Sequence, residues 1–154
     1  MTTKLEIRPL TAGDEAVWRR LWTEYLEFYN SGVDEEVYQT TFTRLLGDHT
    51  PGAVSFYEPR GLLAVVDGEP VGLVHYFYHR HCWKLEHVCY LQDLYASPKA
   101  RGTGVGRALI EAVYQRADED GCPSVYWMTQ EFNETARKLY DRIATLTPFI
   151  KYSR

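Results

Sequence analysis

Long apolar runs are missing from this 154-residue chain. No segment approaches the roughly 18 apolar residues that a membrane-crossing helix needs, and the opening MTTKLEIRPL lacks the apolar core of an export signal. The expectation is a protein with no membrane partner that is not exported. Cysteine is scarce: Cys82, Cys89 and Cys122 form an odd set without CxxC or Cys/His metal spacing. That argues against a disulfide framework or structural metal and for a reducing, cytoplasmic setting. An excess of positive charge is missing too. Seventeen Lys and Arg stand against 21 Asp and Glu, a formal charge of −4, so nothing points to nucleic acid, whose phosphates demand clustered cations. Repeats, linkers and low-complexity stretches are absent as well. With 45% hydrophobic and 25% charged residues, residues 1–154 read as a single globular domain.

What is present is a succession of clear periodicities. Residues 4–8 alternate Leu5 and Ile7 with Glu6 and Arg8, a half-buried strand that Pro9 ends. From Ala16 to Tyr29, apolar residues recur at three and four, predicting a helix with an aromatic face. Asn30-Ser31-Gly32 breaks it, and residues 34–46 form a second helix that Gly47 stops. Residues 62–66 and 71–78 are β-branched and aromatic runs around Asp67-Gly68, the signature of an antiparallel hairpin. A strand over 88–96, a helix over 105–117, a strand over 124–129, a helix over 133–143 and a last strand over 149–152 complete the chain. The order β-α-α-β-β-β-α-β-α-β predicts an α+β fold with one mixed sheet.

Between the 88–96 strand and the helix after it lies Arg101-Gly102-Thr103-Gly104-Val105-Gly106-Arg107. Glycines there permit positive φ and close approach of a ligand, and a helix start offers unpaired N–H groups and partial positive charge to an anion. Three phosphate loops compete for this pattern. A nucleotide P-loop needs Gly-Lys-Ser/Thr, whereas Arg107-Ala108 follows Gly106, and a dinucleotide loop normally sits near the start of its domain. A coenzyme A pyrophosphate loop is the third. Glycines kept only for a tight strand-to-helix turn are the structural alternative.

The run LYASPKARGTGVGRALI resembles the acetyl-CoA motif of the GNAT superfamily of N-acetyltransferases, with Ala96 where the family usually has Val. The resemblance extends to the predicted order of elements. It implies a GNAT fold: a mixed sheet of six to seven strands flanked by about four helices. It further implies acetyl-CoA as co-substrate, with backbone groups of Leu94, Tyr95 and Ala96 on the acetyl and pantetheine end. Arg101, Gly102, Thr103, Gly104, Val105, Gly106 and Arg107 would hold the pyrophosphate. Asn133 and the small Ala136 in NETARKLY would flank the cofactor arm, Asn133 being equally suited to plain helix capping.

Tyr140 lies seven residues after Asn133, two helical turns along one face. The resemblance implies that it is the general acid that protonates the departing thiolate. It also places Asp93 where relatives carry a carboxylate near the amine, and Gln92 where the polyamine branch has a second acid. Glu27, on the helix with Tyr25 and Tyr29, can bind a cation or simply be solvated; the acidic crowding of Glu24, Glu27, Asp34, Glu35 and Glu36 has the same two readings. His75, His79 and His81 share a strand face with Phe77, opposite Tyr76 and Tyr78. Without carboxylate or cysteine support they predict the lining of an aromatic substrate cleft and no metal site.

The tail resembles a GNAT branch acetylating histone tails, small basic proteins, polyamines or D-amino acids. A longer connection, Ile143 to Pro148, replaces the family's usual Gly-Phe after the helix. Exchange of the last strand between subunits, hence a homodimer, is expected. The function expected is direct transfer of acetyl from acetyl-CoA to a primary amine: a small-molecule amine, amino acid, polyamine or protein lysine or N-terminus. The alternative is a coenzyme A-binding module without turnover.

Overall fold

The computed structural model describes residues 4–100 and 102–154. Strand β1 (Leu5–Pro9) leads into helices α1 (Glu15–Phe28) and α2 (Glu35–Leu45). Then follow β2 (Arg60–Val66), β3 (Glu69–His79), β4 (Val88–Ala96), α3 (Val105–Glu119), β5 (Val125–Tyr126) and α4 (Glu134–Ile143). The sheet order is β1-β2-β3-β4-β5. All pairings are antiparallel except β4 with β5. Asp67 (φ 49°) and Gly68 (φ 83°) make the β2–β3 turn left-handed at both positions, as the Asp-Gly pair predicts.

The sheet separates two cores. On one face Trp18, Leu21, Trp22, Phe42 and Leu45 of α1 and α2 cover Leu63, Val65, Leu73 and Tyr95. On the other, Val105, Leu109, Ile110, Val113 and Ala117 of α3 cover Leu62, Ala64, Val74, Tyr76, Tyr78, Cys89 and Leu91. Fully burying such a side chain contributes about 1.5–3 kcal/mol. Gly72 admits α3 to the sheet, because a Cβ there would stand 2.8 Å from the Tyr95 carbonyl oxygen and 3.0 Å from Val105 Cγ1. Among the described residues no helix is long and apolar enough to cross a membrane. Cys89 and Cys122 are buried free thiols, and Cys82 is exposed in the β3–β4 connection.

Two features of β4 differ from a plain strand. His75 pairs with Asp93 but Tyr76 pairs with Leu91, so Gln92 is an extra residue, a β-bulge. Because side chains alternate with period two, the extra residue changes which ones face α3: Cys89 and Leu91 before it, Leu94 and Ala96 after it. Asp93 and Tyr95 are thereby turned toward α1.

The sheet has five strands among the described residues, not the six to seven expected; the four helices are as predicted. The missing strand is 149–152. Ala144 leaves α4 in extended backbone (φ −151°, ψ 179°) instead of a left-handed turn that would fold the chain back. Phe149, Ile150 and Tyr152 are consequently 82%, 77% and 90% exposed, with no strand beside them. The strand predicted over 124–129 shrinks to two residues.

Candidate active site

Strands β4 and β5 are paired only at Cys89–Val125 and Tyr90–Tyr126. Beyond Tyr90, where the bulge bends β4, the two part. The edge of β4 from Leu91 to Leu94 therefore faces a cleft that β5 does not fill, a place for an extended amide-bearing ligand. Leu91, Gln92 and Leu94 form one wall, Trp127, Met128 and Tyr140 the opposite one, and Tyr25 and Tyr29 of α1 close the end. The expected pairing of the Leu94 region with Tyr140 is thus present in space. Gln92 lies at the bulge, exposed.

Tyr140 packs edge-on against Trp127 with ring centroids 5.4 Å apart. Burial, helped by nearby Tyr29, pushes its phenol up to about 12. The hydroxyl has no hydrogen-bond partner among the described residues. It is a protonated donor in want of an acceptor.

Asp93 sits differently. His75 Nδ1 lies 2.8 Å from Asp93 Oδ2, Trp22 Nε1 donates to the same oxygen at 3.3 Å, and Tyr25 also hydrogen-bonds the carboxylate. Trp18 Nε1 is 2.9 Å from His75 Nε2. An indole N–H can only donate, so Nε2 accepts and the ring proton lies on Nδ1, pointing at Asp93. Burial alone pushes the Asp93 carboxyl up, but the hydrogen bonds of His75, Tyr25 and Trp22 outweigh it and hold the carboxyl below the usual range. In return burial and Asp93 push the Tyr25 phenol far above its ordinary value. The network fixes Tyr25, and Tyr25 lines the cleft.

His75 and His79 share a face of β3 but neither borders the cleft, and His81 lies beyond the end of the strand. His75 is sealed beneath Trp18 and Trp22, His79 bonds Tyr126 (2.8 Å) and His81 accepts from the Trp83 amide (3.1 Å). The strand's alternation gave their common side, whereas the indoles that cover His75 come from α1.

At the end of β4, Gly102 (φ 80°) and Gly104 (φ 83°) are left-handed, and a Cβ on either would meet only open space. Thr103 is turned inward, its hydroxyl bonding the Ala100 carbonyl. The first α3 hydrogen bond runs from the Ala108 amide to the Gly104 carbonyl (2.9 Å), so the N–H groups of Val105, Gly106 and Arg107 have no acceptor inside the helix. Open backbone donors without covering side chains fit a pyrophosphate. Val105 is buried against Gly72, and a Cβ at Gly106 would make ordinary contact with Leu139 of α4, 3.7 Å away. The exposed Arg107 side chain is paired with Glu111 at 2.6 Å. Arg101 lies outside the described residues.

Asn133 is the N-cap of α4, accepting from the Ala136 amide at 3.4 Å. Ala136 lies one turn before Tyr140. The Tyr95 hydroxyl is directed away from the cleft, to Glu24 at 3.2 Å. Glu27 is exposed and outside the cleft wall. Sequence reasoning missed Tyr25, Trp127 and the bulge. A signal for the bulge existed: apolar residues at 89 and 91 shift to 94 and 96.

The profile of the acetyltransferase (GNAT) family matches residues 15–144. Over 153 residues the chain is 38% identical to a D-amino-acid N-acetyltransferase of Saccharomyces cerevisiae, covering 98% of this chain and 91% of that one. It is 33% identical over 78 residues to a thialysine N-epsilon-acetyltransferase of Bos taurus, covering 47% and 45%. The solved structure of an aminoglycoside N-acetyltransferase in complex with CoA superposes with a TM-score of 0.81 at 19% identity, covering 100% of this chain and 96% of that one. At that identity the likeness is one of fold.

Proposed function

The chain belongs to the acetyltransferase (GNAT) family, and from that premise we propose that it transfers the acetyl group of acetyl-CoA to the primary amine of an amino acid or similar small molecule. One observation carries the reading: the Tyr140 phenol, which keeps its proton, faces the Leu91–Leu94 edge of β4 across one cleft, and that strand runs on to the glycine loop that opens α3. The D-amino-acid N-acetyltransferase relative supports the acceptor class.

Acetyl-CoA supplies the acyl group already activated as a thioester. Gly102 to Arg107 would hold its pyrophosphate on backbone N–H groups, and the Leu94, Tyr95 and Ala96 edge its pantetheine amides. Tyr140 gives its proton to the sulfur as the amine forms the new C–N bond and the C–S bond breaks. Its raised pKa keeps that proton in place at neutral pH. An aliphatic amine with a pKa near 10.4 costs about 4.6 kcal/mol to deprotonate at pH 7. Asp93 is a weak base for that step, since three donors occupy it. In this reading it is the fixed negative charge behind Tyr25 that draws an ammonium into the cleft, and the proton leaves through water. Gln92, exposed at the bulge, contacts the acceptor, while Glu27 attracts cations at longer range. Among the described residues none is placed to form an acyl-enzyme, and in this reading both substrates are bound together.

The same proposal has residues 1–154 acting as one domain in the reducing cytoplasm, which three free thiols suit. It also has the exposed Phe149 to Tyr152 segment pairing with the sheet of a second copy, where β5 is an edge strand. A homodimer is the result.

The test is release of free thiol from acetyl-CoA with a panel of D- and L-amino acids, polyamines and Lys-rich peptides. Turnover is expected with the amino acids first. If no amine releases thiol while acetyl-CoA still raises Tm, the chain is a coenzyme A-binding module and the enzymatic reading fails.

A further inference from the structure

Sixteen residues along the chain from Gly104, about 24 Å away down α3, the sheet carries a second cavity of about 350 Å³. Its walls are Leu45 at the end of α2, Arg60 and Leu62 of β2, Tyr76 of β3, and Arg116 and Glu119 of α3. None of these residues belongs to the acetyl cleft.

The polar groups here divide into those already matched and those left over. Arg60 is matched except at Nε, which is buried without a partner: Nη1 pairs with Asp120 at 3.0 Å, and Nη2 donates to the carbonyls of His49 and Phe56, each at 3.2 Å. Its guanidinium lies flat over Phe56 and Tyr78, and the Tyr78 hydroxyl gives Asp120 a second bond at 2.6 Å. Arg60 and Asp120 therefore cancel as charges and act as a rigid wall.

Three further polar side chains line the cavity. Tyr76 is only 3% exposed, yet its hydroxyl has no hydrogen-bond partner among the described residues. Burial raises its phenol, while Arg116 and Arg60 both pull the other way, which puts the two guanidiniums close to it. Arg116 is half-buried and has no carboxylate partner among the described residues; the adjacent wall carboxylate, Asp120, is occupied by Arg60 and Tyr78. A hydroxyl and a half-buried cation that no protein group among the described residues engages are available to an acceptor that a ligand supplies. At the rim, exposed Glu119 accepts only from Gln115, at 3.2 Å. Between donors inside and carboxylate outside, Leu10, Leu45 and Leu62 give the cavity an apolar side.

We propose that this cavity is a binding site for a small aliphatic α-amino acid, its carboxylate on Arg116 and the Tyr76 hydroxyl and its ammonium toward Glu119. The side chain lies against Leu45 and Leu62. The site is separate from the acetyl-transfer cleft and its occupancy does not depend on turnover. It makes the protein a sensor of the class of molecule on which its relative acts.

The experiment is titration of the full ¹⁵N-labelled chain with leucine, 4-methylpentanoate and isoamylamine, which carry both charges, the carboxylate alone and the ammonium alone. Leucine is expected to shift the amides of Gly61 and Glu119, 4-methylpentanoate to bind more weakly, and isoamylamine to bind least. Tyr76→Phe, which removes one oxygen from an otherwise unchanged ring, and Arg116→Gln should each weaken leucine about tenfold with acetyl transfer retained. Absence of binding up to about 10 mM overturns the proposal, as does isoamylamine binding as well as leucine, or affinity unmoved by both variants. Shifts confined to Gln92 and Trp127 would place leucine in the acetyl cleft and overturn it too. Acetyl transfer is measured separately, so the two readings fail independently.

Discussion

The two edges of β4 make opposite use of one strand. Toward β3 it is paired from Val88 to Ala96, and the bulge at Gln92 is absorbed within that ladder. Toward β5 it is paired for two residues and then bare. The satisfied edge has nothing to offer a ligand and sets positions: it puts Asp93 opposite His75 and Tyr95 opposite Leu73. The other edge opens on the cleft and faces a donor, Tyr140, across the gap. Structural and chemical duties are thus divided across about 5 Å of backbone, the spacing of neighbouring strands, and can be perturbed separately.

Deleting Gln92 attacks both edges at once and has the largest expected effect. Removing the extra residue sends Asp93 to the α3 face, among Leu109 and Val113 and away from its donors. An unpartnered buried carboxylate costs more than about 4 kcal/mol, so the deletion variant is expected to lose cooperative thermal unfolding. A normal Tm would show that the bulge does not set the facing of Asp93. Tyr140→Phe breaks only the bare edge: kcat should fall about 10²- to 10³-fold with Tm unchanged. An unaltered kcat on a working amine would remove its assigned role.

Gly104→Ala touches the helix start beside the bare edge. Left-handed backbone at an alanine costs about 1–2 kcal/mol, and the reoriented amide should raise the KM for acetyl-CoA several-fold while kcat is kept. The mildest test is pH. The Asp93 carboxyl is depressed in the folded state, so its contribution is complete above the ordinary carboxylate pKa and is lost as pH falls through the lower folded value. Chemical denaturation at descending pH should show stability falling below about pH 4, less steeply in Asp93→Asn. Asp14 adds to the same limb, since the Arg8 hydrogen bond and charge take its carboxyl to about 2. Tyr140, at about 12, predicts activity that climbs with amine deprotonation and does not turn down before about pH 11. A downturn near pH 9 would assign the acid to another group.

Much of this was legible in the residues, since helix periodicity, the Asp-Gly hairpin and the glycine loop are local signals that local backbone obeys. Which side His75 faces was legible as well. What covers it was not, because Trp18 and Trp22 reach it from 57 and 53 positions earlier in the chain. The segment 149–152 has a strand's composition, but a strand is made by its neighbour, and no neighbour is supplied by its own chain. The second cavity left no periodic trace, being assembled from one to three residues of each of five elements and from the loops beside them.

The three cysteines have a practical consequence. Burial pushes the Cys89 thiol up to about 12 and raises Cys122 as well, so neither ionises in neutral buffer, while Cys82 stands in solvent. A disulfide reagent added to follow coenzyme release will therefore titrate one protein thiol per chain before turnover begins. That burst, equal to the enzyme concentration, is an internal standard for counting chains, and Cys82→Ser abolishes it.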